Sequence, residues 1–172
     1  ESPDHSIICS NINAEFNTQL RGKSCTVYSP NMKLHARGEM SEGRRELFAY
    51  PDVLVVCGRT IFHDEYKDVI VNPKVVVEVL SPSTSRYDHE EKFDRYAENK
   101  TLTGYLLVSQ KSPHIQHFVR KTRGRWESVI ERRLSASIMI PSIGCRLRLA
   151  DVYDRIDFSL PEQTGAPIDT RP

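Results

Sequence analysis

The segment Val75–Leu80, which reads VVVEVL, constrains the fold of this chain most strongly. Side chains alternate between the two faces of a strand, so Val76, Glu78 and Leu80 share one face and the three other valines share the opposite one. Both faces are apolar apart from the acid, which is typical of a central strand covered by helices on each side. The segment therefore predicts a layered α/β fold.

Helical and strand patterns alternate along the rest of the chain. Ser2 and Pro3 have the sequence of a helix start, which predicts a first helix over residues 3–20, and a second helix is predicted over about residues 87–99. Strands are predicted at residues 25–28, 32–36, 52–57, 75–80, 103–110, 113–121 and 125–133, with two short ones within 136–150 and a closing helical turn at 151–156. This order favours a mixed β-sheet flanked by α-helices, with additional β-hairpins. We expect one domain over residues 1–160, with a charged loop at 37–46, and a flexible C-terminal tail over 161–172.

Composition sets the expected cellular setting. Hydrophobic residues make up 38% of the chain and none of its apolar runs approaches the ~20 residues of a membrane span, so we expect a cytoplasmic protein with no membrane partner. The four cysteines include no C-x-x-C pair, which predicts reduced thiols without a zinc knuckle or a disulfide. Net charge is only +1, so affinity for a polyanion requires local clustering of basic residues.

Glu78 is the unusual residue of the central strand, because a buried carboxylate needs a partner, a metal or a proton. Asp52 begins another apolar strand, and pairing of the two strands would bring the carboxylates together. Two close carboxylates repel unless a cation bridges them, and Mg²⁺ accepts carboxylate and carbonyl oxygens. Other readings stay open: Asp52 as a turn residue, or Glu78 in a structural ion pair with Lys92 or an arginine.

The second helix carries Asp88, Lys92 and Tyr96 at four-residue spacing, on one face. Asp88 and Lys92 alone would make an ordinary surface pair worth ~0.3 kcal/mol, and Tyr96 alone would be a packing residue with its hydroxyl bonded. Ser81 precedes the helix as a turn or capping residue, with phosphate contact as a second reading. Three histidines without a metal-ligand pattern are expected at the surface: His63, His114 and His117.

Three of these motifs occur together: YPD at 50–52, VVVEVLSPST at 75–84 and the helix pattern D-x-x-x-K-x-x-x-Y at 88–96. Followed by YLLVSQ, they resemble the Uma-two family of proposed restriction endonucleases, within the PD-(D/E)xK nuclease superfamily. The resemblance extends from the first helix to the closing strands near Leu147. It implies a restriction-endonuclease-like fold, whose core is a mixed four-stranded sheet flanked by helices.

The resemblance also implies roles for particular residues. Asp52 and Glu78 would bind Mg²⁺, or Mn²⁺ in its place, with the backbone carbonyl of Val79 as a further ligand. The superfamily's lysine stands two residues after the glutamate, where this chain has Leu80, and the resemblance implies that the role passes to Lys92. This set fits metal-dependent hydrolysis of DNA phosphodiester bonds. Supporting residues are expected at His5, Ser81, Asp88, Tyr96 and Gln110.

Two further expectations concern partners. Superfamily nucleases often dimerise to cut both strands, so a homodimer is one expectation of the resemblance. The alternative to an active endonuclease is a catalytically inactive nucleic-acid-binding or regulatory module on the same fold.

A basic segment follows the second helix. Seven lysines and arginines lie between Lys111 and Arg133, against two acids, with Phe118 and Trp126 among them. Such a hairpin can track a phosphate backbone, and the competing reading is a solvated edge protected by charge. The predicted nucleic-acid-binding residues are Lys111, Arg120, Lys121, Arg123 and Arg125.

Overall fold

The computed structural model describes residues 2–36, 47–80 and 86–159, without the side chains of residues 47 and 86–90. The helices are α1 (Pro3–Leu20), α2 (Arg86–Ala97) and α3 (Leu149–Val152). The strands are β1 (Cys25–Tyr28), β2 (Lys33–Ala36), β3 (Leu47–Ala49), β4 (Val53–Cys57), β5 (Val69–Ile70), β6 (Val75–Leu80), β7 (Gly104–Ser109), β8 (Ile115–Arg120), β9 (Trp126–Glu131), β10 (Ser137–Ile140) and β11 (Cys145–Arg148).

Each helix and strand predicted within these ranges is confirmed, with ends that differ by a few residues. The short strands β3 and β5 were not predicted. The charged loop at 37–46 and the tail at 161–172 lie outside the described residues.

A six-stranded mixed sheet forms the centre of the molecule, in the order β1-β4-β6-β7-β8-β9. Strands β6 and β7 pair in parallel, and the other neighbours in this sheet are antiparallel. A hairpin of β10 and β11 and a three-stranded sheet in the order β3-β2-β5 complete the described strands. The predicted α/β class, with its mixed sheet, flanking helices and added hairpins, is confirmed.

Strand β6 is covered on both faces, as its sequence predicts. Val75, Val77 and Val79 pack in the core cluster that contains the buried side of α1, whereas Val76 packs with Tyr96 of α2 on the other face. All residues of the strand except the last are buried. Glu78 therefore lies inside the protein, in the middle layer of the fold.

Two expectations from the sequence were wrong. Cys25 and Cys57 form a disulfide, because the antiparallel pairing of β1 with β4 places them directly opposite each other despite a sequence separation of 32. His117 is buried rather than at the surface, since β10 packs on β8 and the Met139 backbone hydrogen-bonds to the imidazole. Burial lowers the pKa of His117 to about 4. His63 is exposed, as predicted, whereas His114 is half-buried.

The helices in the described parts of the chain do not include one that is long and apolar enough to cross a membrane.

Candidate active site

The two acids come from neighbouring strands. Strands β4 and β6 are antiparallel and pair Val53 with Val77, so one step further along the register Asp52 stands opposite Glu78. Asp52 is 9% exposed and Glu78 is 5% exposed. Burial raises the pKa of Glu78, and the charge of Asp52 raises it further.

Helix α2 supplies two donors to Glu78. The Lys92 ammonium donates to one carboxylate oxygen at 2.8 Å, and the Tyr96 hydroxyl donates to the other at 3.0 Å. Lys92 and Tyr96 are one turn apart on the helix and both face the strand, which explains the four-residue spacing in the sequence. The lysine is near the acid although position 80 is a leucine.

Electrostatics of this cluster are dominated by burial. Burial raises the pKa of Glu78 and outweighs the charge and hydrogen bond of Lys92, which lower it. Burial and the neighbouring charge of Glu78 also raise the pKa of Tyr96, so its hydroxyl keeps its proton and remains a donor. The two partners of this ion pair differ in burial: the Lys92 side chain is 29% exposed and the Glu78 side chain only 6%.

Asp52 is held between β6 and α1. The Val79 N–H donates to one of its carboxylate oxygens at 2.6 Å, and the His5 Nε2 lies 3.2 Å from the other. The N–H and C=O of a strand residue point toward the same neighbouring strand. The Val79 carbonyl therefore projects to the same side as Asp52, where a ligand role would require it.

The start of α1 links His5 to Gln110. Ser2 is the N-cap, and its hydroxyl oxygen accepts the His5 N–H at 3.1 Å. The same hydroxyl donates to the Gln110 side-chain carbonyl at 2.6 Å. Gln110 follows β7 and is buried, and its bond to Ser2 helps to position the helix that carries His5.

Two predicted supporting residues lie outside the described atoms. Ser81 falls in the gap before α2, and Asp88 belongs to α2 without a described side chain. Their roles stay predictions.

The basic segment divides into an anchored arginine and an exposed tip. Arg120 donates to the carbonyls of Ala97 and Asn99, the second at 3.1 Å, and its guanidinium lies 4.8 Å from the centre of the Trp126 ring. Arg120 thus fixes the end of α2. The guanidinium of Arg120 is therefore not freely exposed for the predicted contact with nucleic acid.

The other four predicted contact residues are exposed: Lys111, Lys121, Arg123 and Arg125. Lys121 lies 3.7 Å from the carboxylate of Glu127, a surface pair of small energy. Arg123 and Arg125 occupy the turn between β8 and β9. Both guanidinium groups of this turn are therefore open to solvent.

Sequence reasoning missed Cys9. Its Sγ lies 3.6 Å from Nδ1 and 3.9 Å from Nε2 of His5, and both side chains are buried beside Asp52. The four-residue spacing of His5 and Cys9 on a predicted helix was the available signal, since it places both on one face.

The mixed sheet, the flanking helices and the buried acids on adjacent strands define a restriction-endonuclease-like domain. A crystal structure from Anabaena variabilis ATCC 29413, described as "a putative nuclease belonging to DUF820", has the same fold, with a TM-score of 0.70 and 16% sequence identity over 92% of this chain and 82% of that chain.

The family model described as "Uma2: Putative restriction endonuclease" matches residues 1–150, and the chain belongs to this family. The predicted resemblance is therefore confirmed. Two uncharacterized proteins of Synechocystis sp. (strain ATCC 27184) are similar to it. One is 31% identical over 157 residues, which cover 91% of this chain and 78% of the relative. The other is 25% identical over 125 residues, which cover 73% of this chain and 67% of the relative.

Proposed function

We propose that this protein is a divalent-metal-dependent endonuclease that hydrolyses phosphodiester bonds in DNA. The observation that carries the proposal is the placement of Glu78, buried in the central strand beside Asp52 and in contact with Lys92. Buried ion pairs are often no more stabilising than apolar side chains of similar volume, so stability alone gives little reason for a charge at this position. Membership of a family described as restriction endonucleases supports the same reading.

The residues present fit a hard divalent cation. The carboxylates of Asp52 and Glu78 and the carbonyl of Val79 would hold it, and Mg²⁺ or Mn²⁺ prefers such oxygen ligands. The raised pKa of Glu78 reflects burial with a second acid nearby, and a cation between the two would favour their ionised forms. A bound cation of this kind supplies a water of lowered pKa and stabilises charge on the phosphate.

The protein's own groups set the positions of the ligands. Tyr96 fixes one oxygen of Glu78, and the Val79 N–H fixes one oxygen of Asp52. Lys92 is partly exposed, so its ammonium can extend from Glu78 toward a bound phosphate without being pulled out of the core. There it would orient the attacking water or offset the charge that develops in the transition state.

Contacts to the DNA backbone are proposed for the exposed turn between β8 and β9. Arg123 and Arg125 supply positive charge there, and Lys111 supplies it on the loop after β7. These side chains would position the strand without reading its sequence, because phosphate contacts carry no base information directly.

The test is a cleavage assay on supercoiled and single-stranded DNA with Mg²⁺ or Mn²⁺. Asp52→Asn and Glu78→Gln remove a metal ligand charge with little change of shape, and Asp94→Asn on the exposed side of α2 is the matched control. We expect both site variants to lose at least about 100-fold in cleavage rate, since the cation supplies several kcal/mol of transition-state stabilisation. Equal cleavage by the parent and both folded site variants would refute the proposal.

A second candidate function has one observation in its favour. All four carboxylate oxygens of the two acids already have a protein partner: Lys92 and Tyr96 at Glu78, and Val79 and His5 at Asp52. In an inactive DNA-binding module, these contacts would serve only to stabilise the fold. This candidate would be favoured if the protein bound DNA without a metal and did not cleave it in the presence of any divalent cation.

A further inference from the structure

Three side chains of different chemistry converge where α1 meets the start of β4. His5, Cys9 and Asp52 are 6%, 8% and 9% exposed, so all three are more than nine-tenths buried. Each offers one donor atom, and these donor atoms all lie within 4.8 Å of one another. One nitrogen, one sulfur and one oxygen donor thus meet in a single buried cluster.

The spacing of the donors resembles the edges of a tetrahedron around Zn²⁺. With Zn–S, Zn–N and Zn–O bonds of about 2.3, 2.05 and 2.1 Å, tetrahedral angles separate sulfur from nitrogen by about 3.6 Å and nitrogen from oxygen by about 3.4 Å. In the structure, the Cys9 Sγ lies 3.9 Å from the His5 Nε2, which itself lies 3.2 Å from the Asp52 carboxylate. The third separation, from the Cys9 Sγ to the Asp52 carboxylate, is at most 4.8 Å, so these two donors must approach by no more than about 1 Å to share an ion with His5.

The donor set determines which cation fits. A thiolate and an imidazole favour borderline-soft ions such as Zn²⁺ or Co²⁺, whereas Mg²⁺ avoids sulfur and prefers oxygen. The proposed catalytic ligands on Asp52, Glu78 and Val79 are all oxygens. Two sites of opposite preference would thus share one carboxylate.

We propose that His5, Cys9 and Asp52 form a second cation site that selects Zn²⁺, and that Zn²⁺ bound there inhibits cleavage because it withdraws Asp52 from Glu78. The site itself is independent of any enzymatic activity. The inhibition rests on the proposed nuclease function.

Binding is tested by titrating the full chain, with its disulfide intact, with Co²⁺ and then displacing the ion with Zn²⁺. A thiolate ligand gives Co²⁺ an intense charge-transfer absorption in the near ultraviolet. We expect this band in the parent, its loss in Cys9→Ala and Cys9→Ser, and a drop of at least tenfold in Zn²⁺ affinity for both variants. The matched control is Cys145→Ala, which removes the other free buried cysteine and should keep the band.

Three results would overturn the site: no thiolate band in the parent, a band that persists in folded Cys9→Ala and Cys9→Ser, or a band lost only in Cys145→Ala. Two cysteine variants are used so that a folding defect in one does not decide the result.

The inhibition is read by adding Zn²⁺ to the Mg²⁺-dependent cleavage assay. We expect the parent to lose cleavage at low Zn²⁺, and Cys9→Ala to require a concentration higher by the same factor as its loss of affinity. The inhibition would be overturned if cleavage did not change at a Zn²⁺ concentration that fully displaces Co²⁺ from the site. If the parent shows the Co²⁺ band but does not cleave DNA, the nuclease proposal and the proposed inhibition are both wrong. The Zn²⁺ site is still supported in that case.

Discussion

Replacing Lys92 with methionine should destabilise the protein much more than replacing Glu78 with glutamine, although the two side chains form one ion pair. The reason is their unequal burial. The Lys92 side chain is 29% exposed and that of Glu78 is 6% exposed. An ammonium left alone by Glu78→Gln can turn to water, whereas a carboxylate left alone by Lys92→Met stays in the core.

The magnitudes follow from the contacts. Removing one partner of a buried pair costs ~3–5 kcal/mol when the other charge stays buried, and Glu78 keeps the Tyr96 hydroxyl as one donor, so we expect Lys92→Met to lower the free energy of unfolding by ~3 kcal/mol at neutral pH. That corresponds to a fall of ~6–12 °C in Tm for a domain of this size. Glu78→Gln should stay within ~1 kcal/mol of the parent, because the amide oxygen can still accept from Tyr96.

The pH dependence has a definite sign. Burial raises the pKa of Glu78 in the folded protein above its ordinary value of 4.5, so between these two values the folded state binds more protons than the unfolded state and stability falls as pH rises. Lys92→Met removes the main influences that lower this pKa and raises it further. The deficit of the variant should therefore shrink as pH falls through the range in which Glu78 takes up its proton.

Urea unfolding of the parent, Lys92→Met, Glu78→Gln and the double variant at several pH values between neutral and acidic measures this directly. The double variant should recover most of the stability lost in Lys92→Met. A cost below ~0.5 kcal/mol for Lys92→Met at neutral pH, or equal costs for both single variants, would refute the reasoning.

Two further predictions concern other parts of the fold. Reduction of the Cys25–Cys57 disulfide should lower the free energy of unfolding by up to about 4 kcal/mol, because the disulfide restricts the entropy of the loop that it closes in the unfolded chain. The Cys25→Ser variant should not respond to reductant. An unchanged unfolding curve of the parent in reductant would contradict this prediction. Arg120→Met should lower Tm, because the end of α2 loses its hydrogen bonds to Arg120. Arg125→Met should leave Tm unchanged, weaken DNA binding and reduce the salt dependence of that binding. The reverse pattern would contradict both assignments.

Local sequence patterns were enough to predict the layered fold. A strand that is apolar on both faces must be covered on both sides, and β6 is covered in this way by α1 and α2. The adjacency of Asp52 and Glu78 was expected only if their two strands paired, and the spacing on α2 indicated that Lys92 and Tyr96 share a face.

The features that were missed depend on contacts between distant segments. The pairing register of β1 with β4 decides that Cys25 meets Cys57, and nothing local in the sequence fixes that register. The burial of His117 depends likewise on the packing of β10 against β8. Cys9 was passed over because a cysteine among apolar helix residues is ordinary, and the packing of α1 against β4 brings it to Asp52.

The central claim is that Asp52 and Glu78 share one divalent cation. Anomalous diffraction from crystals soaked in Mn²⁺ tests this most directly, because it locates the ion without relying on activity. The account predicts one peak within about 2.0–2.3 Å of an oxygen of each carboxylate and of the Val79 carbonyl. No peak between the two acids at saturating Mn²⁺, with the Lys92–Glu78 contact unchanged, would contradict it.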